Sequence, residues 1–100
     1  MVEFKVIWSE RSLQDLERLH DLLSDASLNS ANKTVQAILN RVTQLRQFPK
    51  SGPTEPSLTH LKKEHRYLVC GHHKIIYMIQ PKAVFIVRVF DTRMHPDKLK

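Results

Sequence analysis

The basic side chains Arg66, Lys74, Arg88 and Arg93 interrupt the stretch HRYLVCGHHKIIYMIQPKAVFIVRVFDTR, residues 65–93. Cations set among apolar residues can hold a polyanion or steady the charge that develops on a phosphate. The same stretch has His65, His72, His73 and Cys70, with His60 just upstream. Their spacing matches no standard zinc pattern, and His72 and His73 diverge to opposite faces if the backbone is extended. No metal is expected, and no cofactor. Cys70 falls in an apolar run, where a thiol packs and stays inert. No Ser-His-Asp arrangement and no glycine-rich phosphate loop is present.

The elements that position these cations follow from periodicity. The stretch divides into three apolar runs, broken at Gly71-His72 and Pro81-Lys82. Val, Ile, Tyr and Phe suit a pleated, half-buried surface, and short connections join such runs as hairpins. An antiparallel three-stranded meander is predicted. Alternation places Ile75, Tyr77 and Ile79 on one face of the middle strand and Lys74, Ile76 and Met78 on the other. In the last strand Phe85, Val87 and Val89 form a wholly apolar set and are expected to meet the rest of the core. Lys74, Ile76, Met78, Ile86 and Arg88 are then expected on an open face, with Arg93 turned toward it from just past the strand. Arg66 and His95 complete the expected binding surface. An apolar floor rimmed by cations suits a partner's amphipathic segment or a nucleic-acid backbone.

Upstream, Val2, Phe4 and Val6 alternate with Glu3 and Lys5, predicting an opening strand. Phe4 and Val6 are expected inside, with Ile7 and Trp8 closing against a helix. Ser9 is a natural N-cap, and Leu13, Leu16, Leu19, Leu22 and Leu23 recur at helical spacing, giving a helix from about Glu10 to Ser24. The polar stretch Asp25–Ser30 reads as a turn, with Asn29 or Ser30 capping a second helix whose stripe is Val35, Ile38, Leu39, Val42 and Leu45. Pro49 ends it. The loop KSGPTEPS follows, and Leu58–Glu64 reads as an extended or turn-like lead into the meander. The fold class is α+β: an N-terminal strand, an antiparallel helical hairpin, then the meander.

Composition narrows the setting. One hundred residues, 41% hydrophobic and 26% charged, correspond to a single folded domain spanning residues 1–100. No apolar run approaches the ~20 residues of a membrane span. No secretory signal is read at the start, and a lone cysteine fits a reducing, cytoplasmic setting. Residues 1–31 carry three basic and six acidic side chains, net −3; residues 32–100 carry thirteen basic and four acidic ones, net +9. Such asymmetry favours an acidic protein or a polyanion near the C-terminal two-thirds.

The ordered set of a strand followed by WSERSLQDLERL, a second helix ending in FPKSG, HRYLVCGHHKIIYMI and VFIVRVFDTR resembles toxins of the ParE/RelE superfamily over nearly the whole chain. The resemblance implies a toxin of a type II toxin–antitoxin system, neutralised by a cognate antitoxin in a heterotetramer. ParE-like members poison DNA gyrase and serve in plasmid stabilisation. RelE-like members cut ribosome-bound mRNA without a metal. By position, Lys74 and Arg93 match basic residues of the nuclease branch and would be its catalytic pair, with His65 near a third. Leu99 stands about where that branch carries a C-terminal Tyr, and His95 does not match its spacing. The long helical hairpin and the FPKSG loop resemble the ParE branch. The expected function is therefore gyrase inhibition; ribosome-dependent RNA cleavage and a non-toxic antitoxin-binding relic are the alternatives.

Overall fold

The computed structural model describes residues 3–93. Val2, His95, Leu99 and the tail in which the latter two lie fall outside the described residues. Strand β1 (Lys5–Trp8) leads into helix α1 (Glu10–Ser24) and helix α2 (Leu28–Val42). Two short 3-10 turns, Thr43–Arg46 and Pro56–Leu58, precede β2 (His65–Cys70), β3 (His73–Gln80) and β4 (Ala83–Asp91). The sheet order is β1-β4-β3-β2. The last three strands form the antiparallel meander, and β1 joins β4 in parallel. The expected α+β architecture is the observed one.

Local chemistry sets the helix limits. Ser9 is extended, and its Oγ accepts the Ser12 amide at 3.0 Å, starting α1 where the sequence places it. The second helix begins earlier than expected: Ser27, not Asn29 or Ser30, is the cap, its Oγ accepting the Ser30 amide at 3.1 Å. The turn between the helices is therefore shorter than Asp25–Ser30. After the Pro56–Leu58 3-10 turn, residues 59–64 continue as a turn and bends with no strand. The tight connections of the meander use left-handed residues, Gly71 at φ 59° and Lys82 at φ 64°.

The helical hairpin covers one sheet face. Leu16, Ile38, Val42 and Leu45 meet Leu68, Ile75, Tyr77, Val84, Ile86 and Val89 in one cluster, with Phe4, Val6 and Trp8 packed at its margin. Here the alternation of β4 departs from expectation. Ile76 opposes Arg88 and Tyr77 opposes Ile86, so Val87 has no partner and forms a bulge. The extra residue reverses the facing of β4 before it. Val84, Ile86 and Val89 enter the core, whereas Phe85 pairs with Met78 and faces away from the helices, and Val87 borders a cavity on that side. Ile86, expected on the open face, is fully buried beneath the helices. Ile7 pairs with Phe85 and lies opposite the helices, 39% exposed, rather than closing against α1.

Because β1 stops at Trp8, the outer edge of β4 beyond Ile86 lacks a neighbouring strand. Residues of α1 and its cap supply the missing partners. Ser9 donates from its amide to the Ile86 carbonyl and from its hydroxyl to the Val87 carbonyl. Asp15 Oδ2 accepts the Val89 amide at 2.9 Å. Arg88 then clasps the same carboxylate, Nε at 2.8 Å and Nη2 at 3.2 Å.

On the other side of the core, Tyr77 anchors the loop after α2. Its hydroxyl donates to the Pro49 carbonyl at 2.7 Å and accepts the Gly52 amide at 3.1 Å. The main chains come so close that a Cβ on Gly52 would sit 2.1 Å from the Tyr67 carbonyl oxygen. The FPKSG segment thus needs its glycine for contact.

Tyr77→Phe leaves the buried Gly52 amide unpaired and should cost about 1–3 kcal/mol in urea-induced unfolding. Asp15→Ala strands both the Arg88 guanidinium and the Val89 amide, and about 3 kcal/mol is expected. Asp15→Asn keeps an acceptor for that amide and should cost roughly half as much by the same measurement.

Candidate functional site

The sheet surface turned away from the helices is built from His65, Tyr67 and Val69 of β2, Lys74, Ile76 and Met78 of β3, and Phe85 and neighbouring residues of β4. Period-2 geometry fixes the first two rows, because the buried Leu68, Ile75 and Tyr77 hold the alternate positions against the helices. Lys74 and Met78 stand where the sequence places them. Ile76 does too, yet it is only 2% exposed. A strap formed by residues 54–61 crosses the face, and its Leu58 and Leu61 roof the region above Ile76, Val87 and His65. Between strap and sheet lies a cavity of about 390 Å³, with Ser9, Arg11 and Arg88 completing its wall.

Lys74 is held from two directions. Its ammonium lies 4.2 Å from the centre of the Tyr67 ring and 2.5 Å from Oε1 of Glu55. Glu55 belongs to the strap and is almost fully buried. Its other oxygen accepts the Ser57 amide at 3.1 Å and the Ser57 hydroxyl at 2.9 Å. Burial pushes the Glu55 carboxyl upward, but the bonds from Lys74 and Ser57 outweigh burial, and the net direction is downward. The carboxylate is therefore ionised at neutral pH, and Lys74 faces a matched counter-charge.

The other expected cations are also engaged, and not all on this surface. Arg88 reaches the edge of the face but is tied to Asp15, so it is not the free cation anticipated. Arg66 is not on the open face: it shares the helix side of β2 with Leu68. There it donates to Gly52 O at 2.7 Å and pairs with Glu64 Oε2 at 2.5 Å. The Arg66 guanidinium holds the Glu64 carboxyl below its usual range. Arg93 pairs with Asp91 through Nε at 2.9 Å and Nη2 at 2.5 Å, while its amide donates to the same carboxylate. These bonds hold Asp91 well below the usual carboxylate range and raise Arg93. Arg93 borders a second groove, on the helix side. Lys74 and Arg93, read together from the sequence as a pair, therefore do not share a wall of either cavity.

That second groove, about 380 Å³, runs between α1 and the end of β4. Leu19, Leu22, Leu23, Val89 and Phe90 line it, with Arg18 and Arg93 at the rim. Leu22 is 67% exposed although it belongs to the apolar stripe of α1. His73 borders the same groove, and its Nε2 is buried with no hydrogen-bond partner among the described residues. Burial pushes the His73 imidazole down, toward the neutral form. Sequence reasoning passed over Glu55, Asp15 and Asp91, the three carboxylates that decide the electrostatics here. The local signal for Asp91 was its place two residues before Arg93. Glu55 and Asp15 lie far from their partners in the chain and left no such signal.

Among the described residues no group of three or more His, Cys, Asp or Glu side chains is placed to hold a metal. No described helix is long and apolar enough to cross a membrane.

Comparison with known proteins agrees with this architecture. A chain of the chromosomal ParDE toxin–antitoxin system from P. aeruginosa superposes with a TM-score of 0.74 at 21% identity, over 89% of this chain and 96% of that one. A chain of the RelBE2 toxin–antitoxin complex of Mycobacterium tuberculosis superposes with a TM-score of 0.62 at 20% identity, over 91% of this chain and 93% of that one. Among curated protein sequences nothing matches the chain. The family model described as the ParE toxin of the type II toxin–antitoxin system, parDE, matches residues 6–96. With the match running from the first strand past the last, the chain belongs to the ParE toxin family of type II toxin–antitoxin systems.

Proposed function

We propose that this toxin acts by binding DNA gyrase, and that it makes or breaks no bond itself. One observation carries the reading. Lys74 and Arg93, which RNA cleavage would need, are each neutralised by a carboxylate of the same chain, Glu55 and Asp91, and Arg93 borders the groove against α1, whose wall Lys74 does not share. A phosphoryl-transfer site needs its cations converging on one phosphate and a proton acceptor beside them. Paired, separated cations fit a recognition surface better, where they set register and orientation.

The cognate antitoxin completes the reading. The groove between α1 and β4 offers Leu19, Leu22 and Phe90 to the apolar side of an amphipathic helix, with Arg18 available to an acidic residue beside it. The exposure of Leu22 is then the exposure of a surface awaiting cover. A toxin–antitoxin heterotetramer in the cytoplasm is the proposed assembly.

Two measurements separate binding from cleavage. Purified toxin should inhibit gyrase supercoiling in vitro, and total RNA should stay intact after induced expression without antitoxin. Lys74→Ala and Arg93→Ala should each raise the half-inhibitory concentration by less than about tenfold, whereas losing a transition-state contact typically costs a hundredfold or more. Normal supercoiling at saturating toxin, or codon-positioned cuts in mRNA that Lys74→Ala abolishes, would replace this reading with the nuclease one.

A further inference from the structure

The open face of the sheet is covered by the chain's own strap, and the way the strap is held suggests what else fits there. Its entry is strand-like. Thr54 forms an antiparallel bridge with Arg66, the Glu55 amide donates to His65 O at 2.8 Å, and the Tyr67 amide donates to Pro53 O at 3.0 Å. Then the Glu55 carboxylate drops onto Lys74. Beyond that point the attachment changes character. Among the described residues, the hydrogen bonds of 56–62 stay within the strap: Ser57 to Glu55, Leu58 N to Glu55 O, Thr59 to Pro56 O, Leu61 N to Leu58 O. This half rests on the sheet through apolar contact alone.

That contact is incomplete. The cavity beneath Leu58 and Leu61 is walled by Ile76 and Val87 and opens to solvent, and Leu61 is still 43% exposed. Where Leu58 and Leu61 do not close on the sheet, the lining atoms forgo part of their dispersion contacts. The strap covers the face without closing it.

Its recognition elements have a simple spacing. A carboxylate at Glu55 is followed three residues later by Leu58 and three later again by Leu61. The carboxylate answers the ammonium of Lys74, and the two leucines answer the apolar floor. Arg11 on the cavity wall, and the net charge of +6, favour an acidic visitor over a basic one.

We infer that the open face is a peptide-binding surface occupied in the free protein by residues 54–61, which a partner protein segment carrying an acidic residue three positions ahead of a large apolar residue, and a second apolar residue three further on, displaces. The inference goes beyond the toxin reading and stands whichever molecule the toxin attacks. The strap acts as an internal competitor. It lowers the face's affinity for such segments by the fraction of time it stays docked, and keeps Ile76 and Val87 from water between encounters.

The test uses the full chain with Glu55→Gln, which keeps the shape of the side chain and removes its charge. Amide exchange at Glu55's position and at Tyr67 should accelerate at least tenfold, while Ile75 and Tyr77 keep wild-type protection. A labelled peptide of residues 50–62, with its Glu intact, should bind this variant at least tenfold more tightly than wild type by fluorescence anisotropy. The same peptide with Gln in place of Glu should lose that gain. A second variant, Leu58→Ser with Leu61→Ser, loosens the strap while leaving Lys74 and Glu55 in place, and should bind the peptide more tightly than wild type too. Equal binding by wild type and both variants overturns the inference. So does strap exchange at the wild-type rate in Glu55→Gln, or tighter binding of a single-stranded RNA oligonucleotide with no response to the peptide. Because gyrase is absent from every arm, failure here leaves the gyrase reading standing, and normal supercoiling leaves this one standing.

Discussion

An outer strand edge without a neighbour must have its amides and carbonyls satisfied from elsewhere, and in this protein that need shapes the surface. β1 is four residues long and leaves β4 before β4 is half finished. Ser9 and Asp15 of the following helix take over the uncovered edge. An aspartate brought into that position needs a counter-charge, and Arg88 supplies it. The bulge at Val87 lies in the same place, where strand pairing on one side stops and helix pairing begins. Three features follow from the short first strand: the anchoring of α1, the capture of Arg88 and the change of face within β4.

The electrostatics are settled by similar pairings. The chain is strongly basic, yet four cations of residues 65–93 are each held by a carboxylate. Lys74 meets Glu55, Arg66 meets Glu64, Arg88 meets Asp15 and Arg93 meets Asp91. The first and third are largely shielded from solvent, where attraction between charges is strong and an unpaired partner is costly. The Arg93–Asp91 pair is well exposed and contributes little to stability. Its value lies in holding a guanidinium in a defined direction beside the groove.

Two of the apolar depressions lie on opposite sides of the sheet. The groove against α1 presents exposed leucines to the outside, while the one on the open face is roofed by Leu58 and Leu61. The strap that makes this roof joins the helical hairpin to the meander, so it belongs to the fold and to the surface at once. Gly52 and Tyr77 fix its near end by close main-chain approach, and Glu55 fixes its crossing. Beyond Glu55 only packing holds it.

Much of this was legible in the residues alone. Ser9 and the leucine spacing fix the limits of α1, because cap and stripe are local. The three apolar runs and their two-residue breaks fix the meander, and the alternation in β3 places Lys74 and Met78 correctly. The facing of β4 was not legible. FIVRVF alternates as cleanly with the bulge as without it, and the side that enters the core depends on where β1 stops. Nor could the sequence show that Lys74 and Arg88 are neutralised, since Glu55 and Asp15 meet them only after the chain has folded. Sequence by itself determined the elements and their order, because capping, turns and periodicity are properties of neighbouring residues. Tertiary structure alone decided which cations are free and which face lies open, because both depend on contacts between residues far apart in the chain.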